Sequence, residues 1–191
     1  GISAALQGGG LRSQRALHDS DRVSVGGSSM SAVREEQRET LAFPHVAWFE
    51  ALARLMNVNR ARQEQLGYID CSVVFTVSDG SADKLPRHFK VSFEEFEAVD
   101  VREVDAAAAL AADFGLEASL ATWRKMIESI AAGGGRPALD QTLNYLSHMG
   151  TPLTLVAADP LQSDLYYRYN QSLQEFVNAS AAFDTEFPLG R

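Results

Sequence analysis

Residues 112–135, ADFGLEASLATWRKMIESIAAGGG, place the tightest constraint on what this chain can fold into. Phe114 and Leu116 share one face of a short apolar strand. After a small-residue corner the spacing becomes helical, with Leu120, Trp123, Met126, Ile127 and Ile130 on one side and Thr122, Arg124, Lys125, Glu128 and Ser129 on the other. The glycines at 133–135 stop that helix, because glycine adopts the left-handed conformation that a helix C-terminus favours. A strand feeding so apolar a helix needs a sheet beneath it. The space between the two layers holds either side chains or a ligand.

The segment before this unit supplies the sheet. Tyr68 to Ser78 alternates, with Ile69, Cys71, Val73, Phe75 and Val77 on one face. Asp79-Gly80 opens a turn, and Arg87 to Phe93 alternates again, with Phe89, Val91 and Phe93 inward. Glu97 to Val104 is a third strand, with Val99 and Val101 on one face against Asp100 and Arg102. Three such strands joined by short links predict an antiparallel meander with an aromatic inner face. Asp105 to Ala111 is an alanine-rich helical turn or crossing.

Helices flank the sheet in sequence. Ser31 to Gly67 carries a helical signal through Trp48, Ala51, Leu52 and Leu55, widened by Phe49 and Met56, with Pro44 suited to a first turn. A second helix is expected from Pro137 to His148, with Leu139, Thr142, Leu143 and Leu146 on one face. LTLVA at 153–157 is a last strand. Asp159-Pro160 reads as an N-cap followed by a first-turn proline, with Gln162 placed to bond back. The long final helix presents Leu165, Tyr166, Tyr169, Leu173, Phe176 and Val177 on one side, and the tail EFPLGR is expected to fray. Strands grouped ahead of helices, without strict alternation, imply an α+β fold: a five-stranded, mainly antiparallel sheet with helices packed over one face.

Residues 1–29 differ from everything that follows, being rich in Gly and Ser and nearly free of aromatics. With Met30 directly after them, they read as a leader or N-terminal extension, leaving 30–191 as a single domain. Arg12, Arg15 and Arg22 among serines resemble a transit peptide, an interpretation that Asp19 and Asp21 oppose.

Charge and composition exclude several functions. The net charge of −8, from 25 acids and 17 bases, argues against nucleic acid, since no dense basic run offsets it. No apolar run approaches the roughly 20 residues of a membrane-spanning helix, so stable membrane insertion is not expected. The lone Cys71 forms no internal disulfide and points to the cytoplasm. Cys71 sits on an apolar strand face without a partnering histidine and reads as a packing residue. His18, His45, His88 and His148 show no metal-binding spacing, and neither a metal nor a cofactor is implied. Asp70, Asp113 and Tyr145 would form a carboxylate–phenol site only if a carboxylate faced an apolar pocket. Asp70 falls on the polar face of its strand, so an enzyme is not expected.

The remaining candidates are apolar. Phe75, Phe89, Phe93, Phe114, Trp123 and Met126 point toward one interlayer space, and ligand pockets are lined mainly by such groups. Tyr166 and Tyr169 combine an apolar body with a polar tip suited to a head group near a mouth. Arg168 lies on the same helix.

Taken in order, FPHVAWFEALARLMN, YIDCSVVFTV, RHFKVSFEEFEAV, DFGLEASLATWRKMIESIAAGG and LTLVAADPLQSDLYYRYNQSLQEF resemble the sterol carrier protein 2 family of lipid-transfer domains, from about Phe43 to Phe187. The chain departs from it in having Ala158-Asp159 where many members show Gly-Asp. The resemblance implies a five-stranded sheet covered by helices and an apolar tunnel between them for a sterol, fatty acid, acyl-CoA or phospholipid. The function expected is therefore non-enzymatic lipid binding or transfer by a monomer or dimer. Leu116, Ile127 and Leu143 would join Phe75, Phe89, Phe93, Phe114, Trp123, Met126, Tyr166 and Tyr169 around the ligand. The alternative is a structural or interaction module of the same fold with a closed core and no ligand.

Overall fold

Alternation along three consecutive runs produces the meander. In the computed structural model, which describes residues 38–80, 84–148 and 152–188, a short strand β1 (Thr40–Ala42) is followed by α1 (Val46–Val58) and α2 (Arg60–Leu66). The sheet then begins with β2 (Cys71–Ser78), β3 (Arg87–Glu94) and β4 (Glu97–Val104). β2 and β3 pair antiparallel with Phe75 opposite Phe89, and β3 pairs antiparallel with β4. The two-residue turn between β3 and β4 holds Glu95 at φ 57, a left-handed position rare for a residue with a side chain. The proposed leader at 1–29 lies outside the described residues.

The register of β4 corrects one expectation. Ser92 pairs with Asp100 but Phe93 pairs with Ala98, so Val99 is the extra residue of a β-bulge. The bulge shifts the alternation, burying Ala98 and leaving Val99 49% exposed rather than inward beside Val101.

The chain next crosses back through α3 (Ala106–Ala109), whose N-cap Asp105 accepts a 2.8 Å hydrogen bond from the Ala108 N–H. It enters β5 (Phe114–Ser119), which lies parallel to β2 with Leu116 opposite Phe75. Ser119 ends the strand and caps α4 (Leu120–Ala132), its hydroxyl accepting from the Thr122 N–H at 3.2 Å. That dual role makes the sharp corner read from the sequence. Beyond α4, a Cβ on Gly133 would lie 1.9 Å from the Arg136 carbonyl oxygen, so this turn closes only with glycine.

The expected helix over Pro137–His148 is interrupted. A single 3-10 turn (Leu139–Gln141) is separated from α5 (Leu143–His148) by Thr142, whose backbone is extended. The Thr142 hydroxyl donates to the Leu139 carbonyl at 2.9 Å and accepts from the Tyr145 N–H at 3.2 Å, which caps a fresh helix instead of continuing the first. Leu139 is consequently exposed. β6 (Leu153–Val156) pairs antiparallel with β5, completing the order β4-β3-β2-β5-β6. α6 (Pro160–Asn178) starts as its sequence implies. Asp159 accepts from the Gln162 N–H at 3.0 Å, while the Gln162 carboxamide accepts from the Ala158 N–H at 2.6 Å.

Both ends of the domain depart from expectation. Residues 38–42 are not helical: β1 pairs in parallel with β7 (Asp184–Glu186), and α1 begins only at Val46, with His45 as its N-cap and Pro44 ahead of it. The tail expected to fray is held through Phe187, whose ring packs 6.0 Å from Phe43 and beneath the Arg124 guanidinium. The Trp48 indole N–H donates to the Thr185 hydroxyl at 3.0 Å, tying α1 to this clip. Helices α1, α4 and α6 press onto one face of the five-stranded, mainly antiparallel sheet, and one apolar core lies between the layers.

Candidate functional site

The structure brings all the sequence-predicted residues into that core. Phe75 comes from β2, Phe89 and Phe93 from β3, and Phe114 and Leu116 from β5. Trp123, Met126 and Ile127 come from α4, Leu143 from α5, and Tyr166 and Tyr169 from α6. All are buried, Tyr169 being the most exposed at 7%. Phe49 and Phe176 bridge several of them. Phe49 stacks on Phe89 at 4.7 Å and tilts against Phe75 at 5.3 Å, and Phe176 meets Phe75 at 6.0 Å and Phe93 at 5.2 Å. The Trp123 indole donates to the Thr76 carbonyl at 3.1 Å, which fixes the ring 5.9 Å from Phe75.

The Tyr166 hydroxyl, expected near a mouth, points elsewhere. Tyr166 is fully buried, with its hydroxyl 2.8 Å from the Ser147 hydroxyl, and burial raises its pKa above the ordinary phenol value. Arg168 is exposed. The carboxylate–phenol arrangement is not assembled. Asp70 and Tyr145 are exposed, and Asp113 accepts hydrogen bonds from the Ser72 backbone N–H (2.6 Å) and hydroxyl (2.9 Å). No carboxylate is buried among the described residues. Burial, reinforced by the Asp113 and Asp70 charges, pushes the Cys71 thiol far above its ordinary range, which disfavours the nucleophilic thiolate. No cluster of potential metal ligands occurs among the described residues, and none of their helices is long and apolar enough to cross a membrane.

Open volume lies beside this core, where helices end. A cleft of about 1370 Å³ runs between α1, the start of α2, the glycine turn after α4 and the end of α6. Its floor includes Ala51, Met56 and Phe183, all buried, and Phe183 meets the Trp48 ring at 6.0 Å, so the floor is the outer surface of the aromatic core. The rim is charged. Arg62 bonds Glu175 at 3.0 Å across the cleft, Arg54 approaches Glu39 at 3.4 Å, and Arg136 stands without an ion-pair partner among the described residues.

The C-termini of α1, α4 and α6 all border the cleft, and none of the three helices carries a basic residue in its last turn. Following backbone N–H groups cap these ends: Gly133, Gly135 and Gly134 donate to the Ser129, Ile130 and Ala131 carbonyls, and Asn59 donates to that of Met56. Periodicity could not have found this site, because it forms where ends distant in sequence meet.

No family model matches the chain, and no curated protein matches its sequence. Two solved structures share its fold. One is the solution structure of a conserved hypothetical protein from Thermus thermophilus, suggested to be a sterol carrier protein: identity is 18%, TM-score 0.55, and the match covers 81% of this chain and 99% of that one. The other is the crystal structure of sterol carrier protein 2, at 21% identity and TM-score 0.55, covering 73% of this chain and 97% of that one. The fold of this chain is that of sterol carrier protein 2.

Proposed function

We propose that this protein binds an apolar lipid without covalent chemistry, and that the lipid enters through the cleft between α1, α2 and α6. The supporting observation is the position of that cleft: about 1370 Å³ of open space in contact with the aromatic core through Met56 and Phe183. A tail laid along this floor reaches Phe75, Phe89 and Trp123 once the floor side chains move aside. An acyl chain burying ~15 methylenes at ~0.8 kcal/mol each gains ample transfer free energy to offset ordering costs. The rim then needs only to orient the head.

The test fills the cleft without touching the core. Ala182 lines it and is exposed, so Ala182→Trp adds bulk at little cost to folding. After delipidation, wild-type protein should bind fluorescent fatty acids or sterols saturably, and Ala182→Trp should weaken that binding more than tenfold. Equal binding by both proteins would remove the cleft from the account.

Ring-on-ring packing favours a second reading, a closed-core interaction module. Native mass spectrometry separates the two: a co-purifying lipid of defined mass supports the first, whereas a clean apo mass with no titratable lipid supports the second.

A further inference from the structure

Most polar groups around the cleft are either committed to one another or in water. Arg62 bonds Glu175 at 3.0 Å, Arg54 approaches Glu39 at 3.4 Å, and the Asn178 carboxamide accepts from that of Gln174 at 2.8 Å. Asn59 and Arg136 are exposed. Gln63 of α2 fits neither description. It lines the cleft and is only 3% exposed, yet its side chain makes no hydrogen bond with any described residue.

That carboxamide is not sealed inside the protein. Among the described residues, the fully enclosed side-chain atoms without a partner are Asn170 Nδ2 and Ser180 Oγ, so the small accessible part of Gln63 includes its own Nε2 and Oε1. The open space that Gln63 lines is the cleft. A polar group that has lost most of its water and gained no partner is costly, and such a group calls for a role outside the fold itself. Leucine matches glutamine in helix propensity and would fill the position beside Met56 without that cost.

Resting on the lipid-binding reading above, we propose that Gln63 is a specificity-determining residue of the cleft, and that it selects a lipid carrying a neutral hydroxyl where its polar end meets its apolar body. Such a hydroxyl donates to Oε1 and accepts from Nε2, which satisfies both halves of the carboxamide. The apolar body rests on Met56 and Phe183, which line the same cleft. A carboxylate only accepts, so it leaves Oε1 without a donor. It also brings charge to a nearly dry position while the nearby Arg62 guanidinium is committed to Glu175 and Arg136 stands in water.

The experiment uses dodecan-1-ol, dodecane and dodecanoate, which share a chain and differ at its end. Each displaces a fluorescent fatty acid from the delipidated full chain, with the affinity of the fluorescent probe measured separately for wild type and for Gln63→Leu. The substitution should weaken dodecanol about five- to tenfold, the scale of one or two neutral hydrogen bonds, and leave dodecane unchanged. Gln63→Met, an unbranched side chain of similar length, should repeat the result. Without ligand, Gln63→Leu should raise the urea midpoint, because it removes an unpaired polar group. A lowered midpoint in both variants would show that the carboxamide serves the fold, and overturns the proposal. Equal weakening of dodecanol and dodecane, or no weakening of dodecanol, overturns it while the lipid-binding reading stands. Dodecanoate weakened as much as dodecanol overturns the selection for a hydroxyl. Saturable binding of none of these ligands, the probe included, overturns the lipid-binding reading and the role of Gln63 together.

Discussion

The interlayer core and the helix-end cleft are neighbours separated by little more than Met56 and Phe183, yet they are built on opposite principles. The core is dry and aromatic, with Phe75, Phe89 and Trp123 almost without solvent contact and their rings fixed by mutual packing. The cleft is bordered by helix C-termini, glycine turns and exposed ion pairs. Burial by apolar residues is cooperative and stiff, whereas a wall of solvated charge pairs shifts at small cost. A lipid bound as proposed would therefore lie on a rigid apolar surface beside a yielding rim.

The sharpest way to break that comparison is to hollow out the core. Phe75→Ala removes a ring in contact with Phe49, Trp123 and Phe176, and should cost about 3–5 kcal/mol in urea unfolding. Ala182→Trp at the cleft should cost less than about 0.5 kcal/mol by the same measurement. If Phe75→Ala costs no more than the cleft substitution, the core is not packed as its distances indicate and the contrast disappears.

A smaller effect is expected where the core contains polar groups. Tyr166→Phe leaves the buried Ser147 hydroxyl short of a partner, a loss of about 1–3 kcal/mol. Its pH dependence carries a sign. Burial raises the Tyr166 pKa above its ordinary 10.0 and the Cys71 pKa above its ordinary 9.0, so the folded state favours both protonated forms. Their contribution is complete below those ordinary values and is lost as pH rises from them toward the folded pKa values. Stability should therefore decline above about pH 9, more steeply above about pH 10. Tyr166→Phe should flatten the upper part of the decline. An unchanged alkaline slope in that variant would show that the phenol is not the group responsible.

The same contrast explains what the sequence reveals. The meander, the Ser119 corner and the Asp159 cap were legible because each depends on residues within a few positions of one another. Trp123, Phe75 and Phe114 were legible as inward-facing because alternation and helical spacing report which side leaves water. Periodicity could not say whether the facing group is protein or ligand. It also missed the bulge at Val99, where one extra residue inverts the pattern, and the break at Thr142, where a side-chain cap overrides an apolar stripe. The β1–β7 clip was hidden because three-residue strands carry too little pattern. The cleft was hidden more deeply, since the ends of α1, α4 and α6 are related only by the fold.

The smallest expected stability change tests the yielding side of the comparison. Arg62 and Glu175 are 43% and 32% exposed at their side chains, so the pair carries about 0–1 kcal/mol and Arg62→Ala should barely move the unfolding midpoint. Gln63 is the only buried residue of α2, whose other ties are polar: Arg60 reaches Glu64 at 3.1 Å and Glu97 at 2.8 Å and lies over the Phe96 ring. Removing the bridge to α6 should therefore raise amide exchange along α2 several-fold while β2 amides stay protected, because opening of α2 does not require opening of the sheet. Raising salt on the wild type should act in the same direction, since an exposed pair is screened and the core is not. If Arg62→Ala instead costs about 2 kcal/mol or more, well beyond an exposed pair, or accelerates exchange in β2 and α2 alike, this rim of the cleft is as integral as the aromatic core and does not yield.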